Sequence, residues 1–135
     1  MRKTIALFAT GLLLAGCASE RIDYNFASAP VDAPEARINF IQHNPVYSWH
    51  VVNDRLLYVQ TRGRDWYEVK LFSACVELPF ATQMSFMPSD ASGAFDRFSN
   101  IRIRGGQTCK VDSVKAVPPP DRAVMPYSAS RARSY

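Results

Sequence analysis

The sequence predicts a mostly β domain, a small antiparallel meander that closes into a barrel or a sandwich. Three observations predict it. Short runs rich in β-branched and aromatic residues recur between Val46 and Val114, polar or glycine-bearing turns separate them, and two cysteines, Cys75 and Cys109, fall within the same stretch. Close-spaced short strands with turns between them are the mark of an antiparallel unit. A domain of this size buries a modest core and benefits from a covalent staple.

The elements follow in order. Residues 46–52 and 55–61 read as strands, with Asn53-Asp54 between them as a two-residue hairpin turn, because Asn and Asp tolerate the positive φ that a primed turn requires. Arg62-Gly63-Arg64 makes the next turn, with Gly63 expected in the left-handed position, and residues 65–72 form the third strand. Residues 73–82 contain Pro79 and read as an irregular crossover or one helical turn. A short strand is expected at 83–87, and strands at 101–104 and 109–114 flank a turn at Gly105-Gly106. Alternation then assigns faces. Tyr67, Val69 and Leu71 share one side of the third strand, and Trp66, Glu68, Lys70 and Phe72 the other. Ile101 and Ile103 oppose Arg102 and Arg104, and Val111 opposes Lys110 and Asp112, so the apolar sets are the expected core.

The ends read differently. Residues 18–35 are Ala/Ser-rich, carry Pro30 and Pro34, and have four acids against one Arg, a composition that buries too little surface to offset its ordering entropy. Residues 116–135 begin with Pro118-Pro119-Pro120 and end in low-complexity Ser, Ala and Arg. The expected organisation is a leader over 1–16, a flexible tether over 17–36, the β domain over 37–115 and a Pro-rich disordered tail over 116–135.

The leader carries Arg2 and Lys3, then an apolar run over residues 4–14 too short to span a bilayer comfortably. It closes on Leu14-Ala15-Gly16-Cys17, which resembles the lipobox of bacterial lipoproteins. That resemblance implies cleavage before Cys17, a thioether-linked lipid on its sulfur, and acylation (palmitate or similar) of the new amino terminus. A thiolate is the nucleophile such a transfer needs, and two or more acyl chains hold a protein far longer than one. Ala18, where retained lipoproteins of enteric type carry Asp, points to the outer membrane, with the domain facing the periplasm. Loss of Arg2 and Lys3 lowers the formal charge from +4 to +2, which argues against a polybasic nucleic-acid binder.

With Cys17 consumed by lipid, Cys75 and Cys109 remain, and in an oxidising compartment they are expected to form a disulfide. Loop entropy over such a separation is worth about 3–4 kcal/mol. The other readings are two free buried thiols or a reactive one, although no Cys-x-x-Cys is present and neither histidine is near a cysteine in sequence.

The pattern Trp49-x-Val51-Val52-x-Asp54, Leu57-Tyr58-Val59, Trp66-Tyr67-x-Val69, Leu71, Cys75-x-x-Leu78, Met84-x-Phe86, Ile101-x-Ile103 and Cys109-x-Val111 resembles a family of small proteobacterial lipoproteins known only as a domain of unknown function. The resemblance implies an exported, lipid-linked, mostly β domain with paired cysteines, and it brings no activity, ligand or catalytic residue.

Chemistry has few candidates. His43 and His50 are the two histidines, and no Cys/His spacing suits zinc, so neither a metal nor a cofactor is expected. Ser48 lacks a nucleophile elbow, and Gly105-Gly106 lacks the Lys-Ser/Thr continuation of a phosphate loop. The sequence therefore reads as a non-enzymatic envelope module, held to the membrane by its lipid, that binds an envelope protein or cell-wall component or serves structure. The alternative is an envelope hydrolase drawing acid and base groups from Asp54, Asp65, Glu68 and His50. A third reading, an inhibitor that plugs an enzyme with one hairpin, needs Trp66 and Tyr67 exposed. Arg62, Arg64 and Trp66 form a candidate binding surface, and Arg97, Arg102 and Arg104 a second basic group, through bidentate and stacking contacts.

Overall fold

The computed structural model describes residues 21–40 and 44–125, with backbone alone at 21–23 and 122–125. The leader, Cys17, His43 and the end of the tail lie outside the described residues. The chain divides into two units. In one, strands β1 (Arg21–Asn25) and β10 (Asp121–Met125) pair as a two-stranded ribbon.

The other unit, Asn25–Asp121, is built on a six-stranded antiparallel sheet that curls into a half-barrel. Its strands are β3 (Val46–Asn53), β4 (Leu56–Thr61), β5 (Trp66–Leu71), β6 (Met84–Met87), β8 (Asn100–Ile103) and β9 (Thr108–Val117), in the order β3-β4-β5-β9-β8-β6. Two hairpins carry the chain from β3 to β5, and residues 72–83 then take it to β6 at the far edge. β9 returns to join both halves. Its first residues pair with β8 and the stretch from Val111 to Val117 pairs with β5, with a register shift at Lys70/Leu71 where the partner changes. Such irregularities bend a strand and increase its twist. Two short strands, β2 (Ile38–Asn39) and β7 (Ala94–Phe95), pair beside the main sheet.

The inner face holds the core. Leu57, Val59, Val69, Leu71, Val111 and Val114 meet Ile38, Leu78, Phe86, Phe95, Ile101 and Ile103, all buried. Phe40, Phe86 and Phe95 pack ring to ring at 5.3–6.3 Å, close to the tilted and edge-on geometries that aromatic quadrupoles favour. Cys75 and Cys109 are joined, with Cα atoms 5.9 Å apart, and tie the crossover to the start of β9. Just beyond, Leu78–Phe80 makes a single 3-10 turn with a proline in its opening positions.

Two turns differ from expectation. The β3–β4 loop centres on Asp54-Arg55, and neither Asn53 nor Asp54 has positive φ. Asn53 instead accepts the Arg55 N–H on its Oδ1 at 2.8 Å, so its side chain closes the turn. In the next hairpin Arg64, not Gly63, takes the left-handed conformation, at φ 70°. The Arg64 N–H donates to the Thr61 carbonyl and the Thr61 N–H to that of Asp65. A three-residue loop of this kind puts its left-handed residue last, one place after the glycine. The third turn forms at Gly105-Gly106, as expected, with Gly105 left-handed at φ 73°.

The boundaries also move. Within residues 26–36, expected as tether, Phe26, Ala29 and Ala36 dock on the domain, and β9 runs on to Val117 before Asp121–Met125 forms a further strand within the expected tail. The physical reason lies in a few docking groups. Beyond Lys110, β9 has lost β8 as a neighbour; there the Ala36 N–H donates to the Val114 carbonyl at 2.7 Å, and Glu35 Oε2 accepts the Val114 N–H at 3.0 Å. Backbone groups that would otherwise lack partners are thereby satisfied.

Candidate functional site

The outer face of the sheet carries the row His50–Tyr58–Glu68–Lys115, each residue opposite the next across β3, β4, β5 and β9. Residues 26–31 lie over it as a strap. The Phe26 ring stacks on Tyr58 with centroids 4.0 Å apart and meets Trp66 edge-on at 5.1 Å and His50 at 5.2 Å. Glu68, only 1% exposed, accepts the Ala29 N–H and the Tyr58 hydroxyl on Oε2, both at 3.1 Å. Its Oε1 has no aligned hydrogen-bond donor, but Lys70 Nζ stands 3.2 Å away as a charge partner. Lys115 Nζ donates to the carbonyls of Pro30 and Val31 and pins the far end of the strap. Burial raises the Tyr58 phenol above its ordinary pKa, and the Glu68 carboxylate adds to the rise.

This arrangement revises the candidate residues. Trp66 is 7% exposed beneath Phe26, so it offers no stacking platform beside Arg62 and Arg64. Arg62 and Arg64 are exposed on the hairpin turn, where Arg62 Nε reaches the Asn44 carbonyl at 3.4 Å. With Trp66 buried and Tyr67 half-buried against the core, the hairpin lacks the exposed aromatic tip that an inhibitory plug requires. The hydrolase candidates separate. Asp54 lies in the first hairpin turn and Asp65 beside the second, while Glu68 and His50 share the strapped row. No group of three metal-ligating side chains forms among the described residues.

Three open clefts among the described residues differ in charge. One of about 340 Å³ is lined by Glu35, Arg37, Asp90, Asp96, Arg97 and Phe98, and its charges pair internally: Arg37 lies 3.6 Å from Asp96 and 4.0 Å from Asp90. The Ser92 hydroxyl, with smaller help from its N–H and from Arg37, holds the Asp90 carboxyl below its usual range. A second, of about 450 Å³, mixes Asp54 and Asp112 with Arg55 and Lys70. The third, of about 480 Å³, is lined by Trp49, Gln83, Met84, Ser85, Arg102, Arg104 and Gly105. Trp49 comes from β3 and Met84 from β6, the two outermost strands of the sheet, so this cleft marks the seam where the half-barrel stays open.

The seam is basic. Its lining holds two guanidiniums and no carboxylate. Arg104 Nη1 donates to the amide oxygen of Gln83, a neutral acceptor that leaves its charge intact, and among the described residues Arg102 forms no ion pair. Trp49 is half-buried, packed against the core cluster opposite Val59, so its indole is held from behind. Alternation placed Arg102 and Arg104 outward. That Trp49 joins them could not be read along the chain, since the curl of the sheet brings its two edges together.

Residues 1–132 match a family profile. The chain belongs to a family of unknown function, DUF6491. No curated protein and no solved structure matches it. For this DUF6491 member the half-barrel, the strap and the basic seam are therefore the features from which a role must be argued.

Proposed function

We propose that this DUF6491 protein is a lipid-anchored module of the bacterial envelope that works by binding and not by catalysis. In this reading the chain is cut before Cys17, lipid on that cysteine fixes it to the outer membrane, and the β domain faces the periplasm. The observation that carries the binding half is the seam, where Trp49 and two arginines that form no ion pair among the described residues share an open cleft. An aromatic face beside two guanidiniums is equipped to recognise a ligand. The paired cysteines agree with an oxidising compartment, and the leader with its lipobox supports the anchor.

Mass spectrometry of the protein purified from membranes tests the anchor. The expected product starts at Cys17 and carries the added mass of its acyl chains. A retained leader, or an unmodified Cys17 sulfur, contradicts it. Photocrosslinking in intact cells from residue 49 or 102 tests the binding role. A discrete adduct from these positions, and none from Arg62 at the far hairpin, is expected; only scattered neighbours at both sites would count against it.

A further inference from the structure

The seam differs from the other two clefts in one respect that chemistry can use: the charge in its lining is of one sign. We propose that it binds a sugar ring bearing a carboxylate or a phosphate, with the anionic oxygens on Arg102 and Arg104 and the apolar face of the ring on Trp49. The proposal rests on the binding-module reading above and specifies its ligand.

Each part of the lining answers a part of such a ligand. A guanidinium presents a planar fork of donors that matches a carboxylate or phosphate edge. Arg102 pairs with no acid among the described residues, and Arg104 is engaged by a neutral amide, so both keep their charge for an incoming anion. Trp49 and Met84 supply apolar surface, and the core behind Trp49 holds the ring in place before binding, which reduces the entropy lost on association. Ser85 faces Arg102 across the β6–β8 pair, and its hydroxyl, with the Gln83 amide, can exchange hydrogen bonds with ring hydroxyls. At about 480 Å³ the cleft has the volume of ordinary small-molecule sites, enough for a mono- or disaccharide. A free inorganic anion would leave Trp49 and Met84 unused.

Nitrogen-15 NMR of the acylated protein in detergent micelles tests this, because the indole N–H signals of Trp49 and Trp66 report on the seam and the strapped face separately. The probes are glucuronate, glucosamine 1-phosphate, glucose and inorganic phosphate. A saturable shift of the Trp49 signal with glucuronate or glucosamine 1-phosphate is expected, at least about ten-fold tighter than with glucose or inorganic phosphate, while the Trp66 signal stays put. Which charged sugar binds tighter tells a carboxylated ligand from a phosphorylated one. Arg102→Gln and Arg104→Gln should each weaken binding about ten-fold, and Arg62→Gln should leave it unchanged. No saturable shift with either charged sugar, equal binding of glucose, or unaltered binding in the Arg102→Gln/Arg104→Gln double variant overturns the proposal. If residue 49 still yields a discrete crosslink in cells while no charged sugar binds, the ligand class falls and the binding role stands; if both fail, both fall.

Discussion

On the inner face of the six-stranded sheet, Leu57, Val59, Val69 and Val111 meet Leu78, Phe86, Phe95 and Ile101, and a disulfide closes one end. On the outer face, Tyr58, Trp66 and Glu68 meet Phe26 and Ala29 of one strap. The inner face and the strapped part of the outer face both exclude water, by different means. The inner one relies on many mutually supporting apolar contacts. The outer one relies on a single strap, whose Phe26 ring covers Tyr58 and Trp66 and whose Ala29 N–H joins Tyr58 and Lys70 as a partner of the Glu68 carboxylate. It should therefore open more easily and with little effect on the rest.

The largest effect should come from the inner face. Phe95, fully buried between Phe40 and Phe86, should cost about 3–5 kcal/mol when changed to Ala, measured by denaturant unfolding. Next comes the staple: Cys75→Ser and Cys109→Ser should each cost about 3–4 kcal/mol, and the double variant no more than either, because one bond is lost in all three. Clear additivity would deny the shared bond. On the outer face Phe26→Ala should cost less, about 2 kcal/mol. A loss as large as that at Phe95 would erase the distinction between the faces.

Two smaller effects sharpen it. The folded state holds the Tyr58 proton above the ordinary phenol range. Its contribution to stability is complete below pH ~10 and is lost as pH rises through the folded value. Tyr67, raised by burial and by Asp65, adds to the same alkaline decline. Tyr58→Phe should flatten the fall of stability above pH ~10, and an unchanged slope would speak against a buried phenol there. Arg64 sits at φ 70° without a glycine's freedom; Arg64→Gly should stabilise by about 1 kcal/mol or less, read as a rise in Tm.

The contrast between the faces also explains what was legible in the sequence. Val69 and Leu71 against Lys70, or Ile101 and Ile103 against Arg102, alternate in plain view, and the core and the six main strands follow from such local signals. The cysteine pair follows instead from an exported chain with two cysteines left over. Trp66 and Glu68 alternate just as plainly, yet their burial depends on Phe26 and Ala29, about forty positions earlier in a stretch whose composition is that of a tether. One phenylalanine and one backbone N–H in a polar segment leave no periodic trace. The seam was hidden for the same reason: Trp49 and Arg102 share a cleft because the sheet curls, and the separation between them along the chain carries no hint of it.

Fluorescence quenching by acrylamide tests the two-sided account most directly, since Trp49 lies at the open seam and Trp66 under the strap. The account predicts one readily quenched and one shielded tryptophan, with Phe26→Ala exposing the shielded one while the fold persists. Equal quenching of both tryptophans in the unaltered protein would contradict it.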